Sequence, residues 1–84
     1  MIYVYVLRSE VDGFLYTGCT RDLRARILLH NSGQVFSTKD RRPLELIYYE
    51  ACLNEADAFR REKYLKTTYG KRYIKSRCKN YFTG

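Results

Sequence analysis

Residues 2–7, Ile-Tyr-Val-Tyr-Val-Leu, are apolar without interruption. Strand alternation puts Tyr3, Tyr5 and Leu7 on one face and Ile2, Val4 and Val6 on the other. A strand apolar on both faces in so short a chain belongs at the centre of its sheet. Residues 9–13 then turn, with Asp12-Gly13 as the strongest local signal. Residues 14–17 read as a second strand, antiparallel to the first and stopped by Gly18, so that Tyr5 and Tyr16 come near one another. The period then changes. Leu23 and Ile27 recur at helical spacing, Thr20 is the expected N-cap, Asp22 sits in the first turn, and Asn31-Ser32-Gly33 ends the helix. A polar loop over 34–43 leads to a third strand over 44–50. Asn54 caps a second helix, with Asp57 completing a capping-box-like arrangement. Gly70 is expected to break the chain before a last helix over 71–80, whose inner stripe is Ile74, Cys78 and Tyr81. The pattern contains no repeat, linker or low-complexity tract. It predicts one α/β domain over residues 1–84, in the order strand, strand, helix, strand, helix, helix.

Charge narrows the range of partners. Sixteen Lys and Arg against nine Asp and Glu leave a net charge of +7, an excess that attracts polyanions, nucleic acid above all. The candidate contacts are Arg21, the loop cations Lys39, Arg41 and Arg42, and Lys71, Arg72, Lys75 and Arg77 of the last helix. That helix lacks the aliphatic anchors of a membrane-surface helix, so nucleic-acid backbone is its simpler partner. Charge alone does not separate an enzyme from a binding module. The three cysteines, Cys19, Cys52 and Cys78, are too widely spaced for a metal clip. Their odd number and the lack of a secretory leader lead us to expect a reducing cytoplasm. Cys52 and Cys78 read as apolar fillers. Cys19 lies beside the candidate site, but its one possible histidine partner is better used elsewhere. No apolar run approaches the ~20 residues of a membrane span.

The chemistry concentrates after the second strand. Arg26 and His30 are four apart and project from one helix face, and His30 is the only histidine. With a strand-end phenol they are placed to converge on one anionic group. Guanidinium presents paired N–H groups suited to a phosphodiester, and an imidazole there can orient or deprotonate water or hydrogen-bond a phosphate. The plainer readings are ordinary strand tyrosines, a snorkelling arginine and a half-buried histidine. Glu62 falls on the apolar stripe of the second helix, where a carboxylate is costly unless it is ion-paired or bound to a cation.

Tyr3-Val4-Tyr5, Tyr16-Thr17-Gly18, and the helix carrying Arg26 and His30 together resemble the GIY-YIG nuclease domains, over essentially the whole chain. Tyr3 stands where that family usually has glycine, and Thr17 replaces an aliphatic residue. The resemblance implies a small three-stranded antiparallel sheet with the first strand in the middle. It also implies a metal-dependent endonuclease that hydrolyses DNA phosphodiester bonds, as in repair or recombination. In that reading Tyr5, Tyr16 and His30 activate or orient water, Arg26 stabilises the phosphate charge, and Glu62 holds Mg²⁺ or Mn²⁺. Asn80, at a loosely matching distance, is the candidate for the asparagine that many members place after the glutamate. DNA is the expected partner, with RNA not excluded and a protein partner supplying substrate choice. The rival readings are a non-catalytic nucleic-acid-binding module that keeps the fold, and a nuclease subunit of a larger complex.

Overall fold

Both faces of the first strand, β1 (Ile2–Ser9), are buried in the computed structural model, which describes residues 1–84. Ile2, Val4 and Val6 are shielded on one side and Tyr5 and Leu7 on the other, as a central strand requires. β2 (Leu15–Thr20) and β3 (Leu44–Cys52) flank it, both antiparallel, in the order β2-β1-β3. The helices are α1 (Leu23–Asn31), α2 (Glu55–Leu65), α3 (Thr68–Arg77) and α4 (Lys79–Thr83), with a 3₁₀ turn at Lys39–Arg41 before β3. α2 and α3 cover the Ile2, Val4 and Val6 face through Ala58, Leu65 and Ile74. α1 covers the Tyr5 and Leu7 face through Leu23 and Ile27, joined by Leu44 and Leu46 of β3. A sheet with helices on both faces removes both of its apolar surfaces from water. On the α2 side, Arg61 grips Glu50 of β3 with three N–H···O contacts of 2.8–3.2 Å, which ties helix to sheet.

Several local expectations are corrected. β2 does not stop at Gly18. It runs on to Thr20, and Gly18 pairs directly with Tyr5. The helix cap is Asp22, whose carboxylate accepts from the Ala25 N–H at 3.1 Å. Thr20 instead braces the approach, its hydroxyl accepting from the Asp22 N–H at 3.1 Å. Asn54 caps α2 as expected, accepting from the Ala56 and Asp57 N–H groups, but the Asp57 carboxylate pairs with Arg60 rather than returning to the cap. Gly70 does not break the chain. It lies inside the first turn of α3, where a Cβ would stand 2.2 Å from the Tyr64 carbonyl oxygen and 2.4 Å from Leu65 Cα. The residue is small because two helix backbones meet there. The last helix does break, at Cys78 (φ −103°, ψ 33°). Past that kink it is Phe82, not Tyr81, that turns inward, while Tyr81 is exposed and bonds to Glu45.

Candidate functional site

Tyr5 and Gly18 explain one another. They face each other across β1 and β2, and a Cβ on Gly18 would lie 2.5 Å from the Tyr5 hydroxyl oxygen. The phenol therefore lies flat over the edge strand and reaches α1. There its oxygen meets His30 Nε2 at 2.9 Å and receives a longer contact from Arg26 Nε at 3.4 Å. His30 continues the chain, with Nδ1 2.8 Å from the hydroxyl of Thr38 in the loop before β3. Tyr16, diagonal to Tyr5 across the strand pair, packs its ring edge-on to His30 with centroids 5.1 Å apart. Tyr5, Tyr16, Arg26 and His30 thus meet at one place.

Burial divides these four. Tyr5 is 1% exposed and His30 is 0% exposed, whereas Tyr16 and Arg26 keep solvent-facing surface. The plainer reading of His30, a half-buried histidine at a helix edge, understates its burial. Burial, with the Arg26 charge beside it, pushes the His30 pKa down to about 4, so the ring is neutral at physiological pH. The Tyr5 phenol is raised, by burial first; Arg26 offsets part of this, and the charges of Tyr16 and Glu62 add to the rise. A neighbouring arginine eases loss of a phenol proton, but at Tyr5 desolvation outweighs it. Arg26 itself has no carboxylate partner, unlike Arg21, Arg41, Arg60 and Arg61.

Glu62 comes from α2, on the opposite face of the sheet from α1. Its charge nevertheless acts on Tyr5 and its carboxylate adjoins the Cys19 thiol of β2. The ion-pair alternative is realised: Glu62, 21% exposed, meets Lys66 at 3.1 Å, and Lys66 is 55% exposed. Burial and the adjacent Glu62 push the Cys19 thiol up to about 12, so it is a protonated filler and not a nucleophile. No group of three or more His, Cys, Asp or Glu is arranged to enclose a metal ion. The donor set fits a hard cation held by one carboxylate and otherwise by water and phosphate oxygens, the habit of Mg²⁺. A protonated thiol adds nothing to such a site.

The basic residues converge only in part. The Arg41 guanidinium lies 4.0 Å above the Phe14 ring and the Lys71 ammonium 5.9 Å from it. The loop and the start of α3 therefore meet at the start of β2. Beside them a pocket of about 250 Å³ is lined by Phe14, Leu15, Tyr16, Thr17, Lys66 and Lys71. Arg21 pairs with Glu55 and Arg41 with Asp12. Lys39 lies over Phe36, and Arg42 bonds back to the Lys39 carbonyl. Arg72 stacks near Tyr69, and Lys75 and Arg77 are exposed. Asn80 is exposed on α4 with no hydrogen bond from its side chain to the Glu62 group. The larger groove, about 620 Å³ between α1 and β3, lies on the other flank of α1 and includes none of the five candidate catalytic residues. Thr38 and the space above Gly18 are the participants that sequence reasoning missed. Thr38 sits in a polar loop with no periodic signal, and Gly18 resembled a strand stop.

An aromatic triplet on the first strand, a Tyr-x-Gly on the second, and an arginine and a histidine one turn apart on the next helix are the features by which the chain resembles the GIY-YIG domains. The family model described as the GIY-YIG catalytic domain matches residues 1–79, and the chain belongs to that nuclease family. Within it the chain is similar to small UPF0213 proteins. It is 42% identical over 66 residues to one from Staphylococcus epidermidis, covering 77% of this chain and 79% of that one. It is 44% identical over 66 residues to one from Bacillus pumilus, covering 77% and 66%. The solution NMR structure of the UPF0213 protein BH0048 from Bacillus halodurans shares the fold, with a TM-score of 0.57 and 35% identity over 90% of this chain and 84% of that one. No helix is long and apolar enough to cross a membrane.

Proposed function

We propose that this protein is a divalent-metal-dependent endonuclease that hydrolyses DNA phosphodiester bonds, with substrates such as the flaps, branches and nicks of repair or recombination. The observation that carries the reading is Arg26, a partly buried guanidinium with no carboxylate partner, bonded through Nε to Tyr5. A half-buried guanidinium with no carboxylate beside it is open to an incoming anion. With Nε engaged, its terminal nitrogens are free for two phosphate oxygens.

Hydrolysis needs an oriented water, charge stabilisation on the phosphorane and help for the leaving alkoxide. The solvent-facing Tyr16 hydroxyl orients the attacking water, and Arg26 stabilises the phosphorane. Glu62 holds Mg²⁺ or Mn²⁺, which when bound supplies positive charge at the leaving oxygen. With a cation on Glu62, Lys66 would be free to pair with the phosphate backbone. Buried Tyr5 and His30 support these groups: Tyr5 aims Arg26, and His30 backs Tyr16 and Tyr5. The strand runs past Phe14, where Arg41 and Lys71 meet.

The test is incubation with branched, flapped, nicked and single-stranded DNA and matched RNA, with Mg²⁺, Mn²⁺ or EDTA. Cleavage that needs metal and is abolished by EDTA is expected. Tight binding without cleavage under every condition would favour the binding-only module, a reading that the Glu62–Lys66 ion pair supports.

A further inference from the structure

We infer that Thr38 is a positioning residue that selects the tautomer of His30. Its hydroxyl donates to Nδ1, so Nε2 carries the proton and His30 donates to Tyr5. The heavy atoms form one line, from Thr38 Oγ1 to His30 Nδ1 at 2.8 Å and from His30 Nε2 to the Tyr5 oxygen at 2.9 Å. The imidazole is neutral here, so one of its nitrogens donates and the other accepts. Two directions along the line are possible, and each leaves one hydroxyl proton without a partner within it.

The two ends are not equivalent. Thr38 is 0% exposed, and His30 Nδ1 is the one hydrogen-bond partner of its hydroxyl. If Thr38 accepted from Nδ1–H, its own proton would be a buried donor with nowhere to go. The Tyr5 oxygen is at the other end, among Arg26, Tyr16 and the Glu62 charge. Arg26 Nε is a permanent donor, so this oxygen already accepts one N–H, and the His30 Nε2–H fills its second lone pair. The Tyr5 proton then lies on the side of Tyr16 and Arg26, the two members of the site that keep solvent-facing surface. His30 is therefore not a base toward Tyr5. It fixes Tyr5 as a donor on that side, and Thr38 holds His30 in that role.

The consequence for cleavage rests on the nuclease reading; the tautomer does not. Because His30 is the only histidine, long-range ¹H–¹⁵N spectra of the labelled protein report one imidazole without assignment work. At neutral pH Nε2 should show the shift of a protonated nitrogen and Nδ1 that of an unprotonated one. Thr38→Val should move the population toward Nδ1–H, and Thr38→Ser should restore the wild-type pattern. Cleavage should fall by on the order of tenfold or more in Thr38→Val, as when a partner that orients a histidine is lost, and recover in Thr38→Ser. A wild-type Nδ1–H tautomer overturns the inference, as does a Thr38→Val or Thr38→Ser spectrum unchanged in a sense that separates tautomer from hydroxyl: Val retaining Nε2–H, or Ser failing to. If no DNA or RNA is cut but the spectra behave as stated, the nuclease reading fails and the tautomer assignment stands.

Discussion

Replacing Gly18 by alanine asks whether the glycine of the Tyr-x-Gly strand exists to make room for the Tyr5 phenol. The new Cβ would sit 2.5 Å from the Tyr5 oxygen and 2.6 Å from Cζ, against a normal carbon contact of about 3.5–4.0 Å. The ring must move by about 1 Å, and it is buried and held at its tip by His30. Overpacking of this kind costs about 1–3 kcal/mol, and losing the Tyr5–His30 bond adds about 1 kcal/mol. The alanine recovers about 0.5–1 kcal/mol of strand entropy. A net loss of about 1–3 kcal/mol is expected, lowering the melting temperature by about 4–8 °C per kcal/mol in a domain of this size. Urea unfolding of wild type, Gly18→Ala, Tyr5→Leu and the double variant makes a closed cycle. Because Tyr5→Leu removes the atoms that clash, the alanine should be nearly harmless in that background, a coupling of at least about 1 kcal/mol. Equal cost of Gly18→Ala in both backgrounds would refute the close-approach argument.

His30, facing Tyr5, Tyr16, Arg26 and Thr38, should remain neutral down to about pH 4, against an ordinary value of 6.5. The unfolded chain takes up this proton first, so its contribution is complete above about pH 6.5 and is lost as pH falls toward 4, by about 3 kcal/mol in all. An imidazole that titrates near 6.5 by NMR would contradict this. Gly70→Ala drives a Cβ into the backbone at Tyr64 and Leu65, atoms that cannot yield without parting α2 from α3. A loss of about 3 kcal/mol in urea unfolding is expected, and an unchanged midpoint would count against it. Reversing Lys75 and Arg77 to Glu should weaken DNA binding and flatten its salt dependence, since fewer counterions are released. Unchanged affinity and slope would remove α3 from the interface.

What was legible in the chain follows from the range over which each signal acts. β1 declared itself central because both its faces are apolar, and Asn54 announced α2 because capping is local chemistry. Gly18 and Gly70 were both read as breaks. A glycine gives the same local signal for a turn as for a close approach, and the difference lies in Tyr5 or in the backbone of Tyr64 and Leu65. Thr20 and Asp22 are both good caps, and only the geometry of the β2 exit chose Asp22. The kink at Cys78 exchanged Tyr81 for Phe82 on the inner face, a one-residue slip that periodicity cannot detect. At the candidate site, the spacing of Arg26 and His30 announced a shared face, and the resemblance supplied the two tyrosines beside it. Burial of Tyr5 and His30, and the part taken by Thr38, depend on a loop folding back onto α1 and leave no pattern in the sequence.

The central claim is that Arg26 and Glu62 serve cleavage rather than folding or binding, and single-turnover cleavage by Arg26→Ala and Glu62→Gln tests it most directly. Lys66 is 55% exposed, so water replaces its lost partner and Glu62→Gln should change stability by less than about 1 kcal/mol. Both variants should melt near wild type and bind DNA within a few-fold of it. Their cleavage rates with Mg²⁺ or Mn²⁺ should fall by on the order of 10² or more, as when a group that stabilises the transition state is removed. Variants that fold, bind and cut DNA at the wild-type rate would contradict the account.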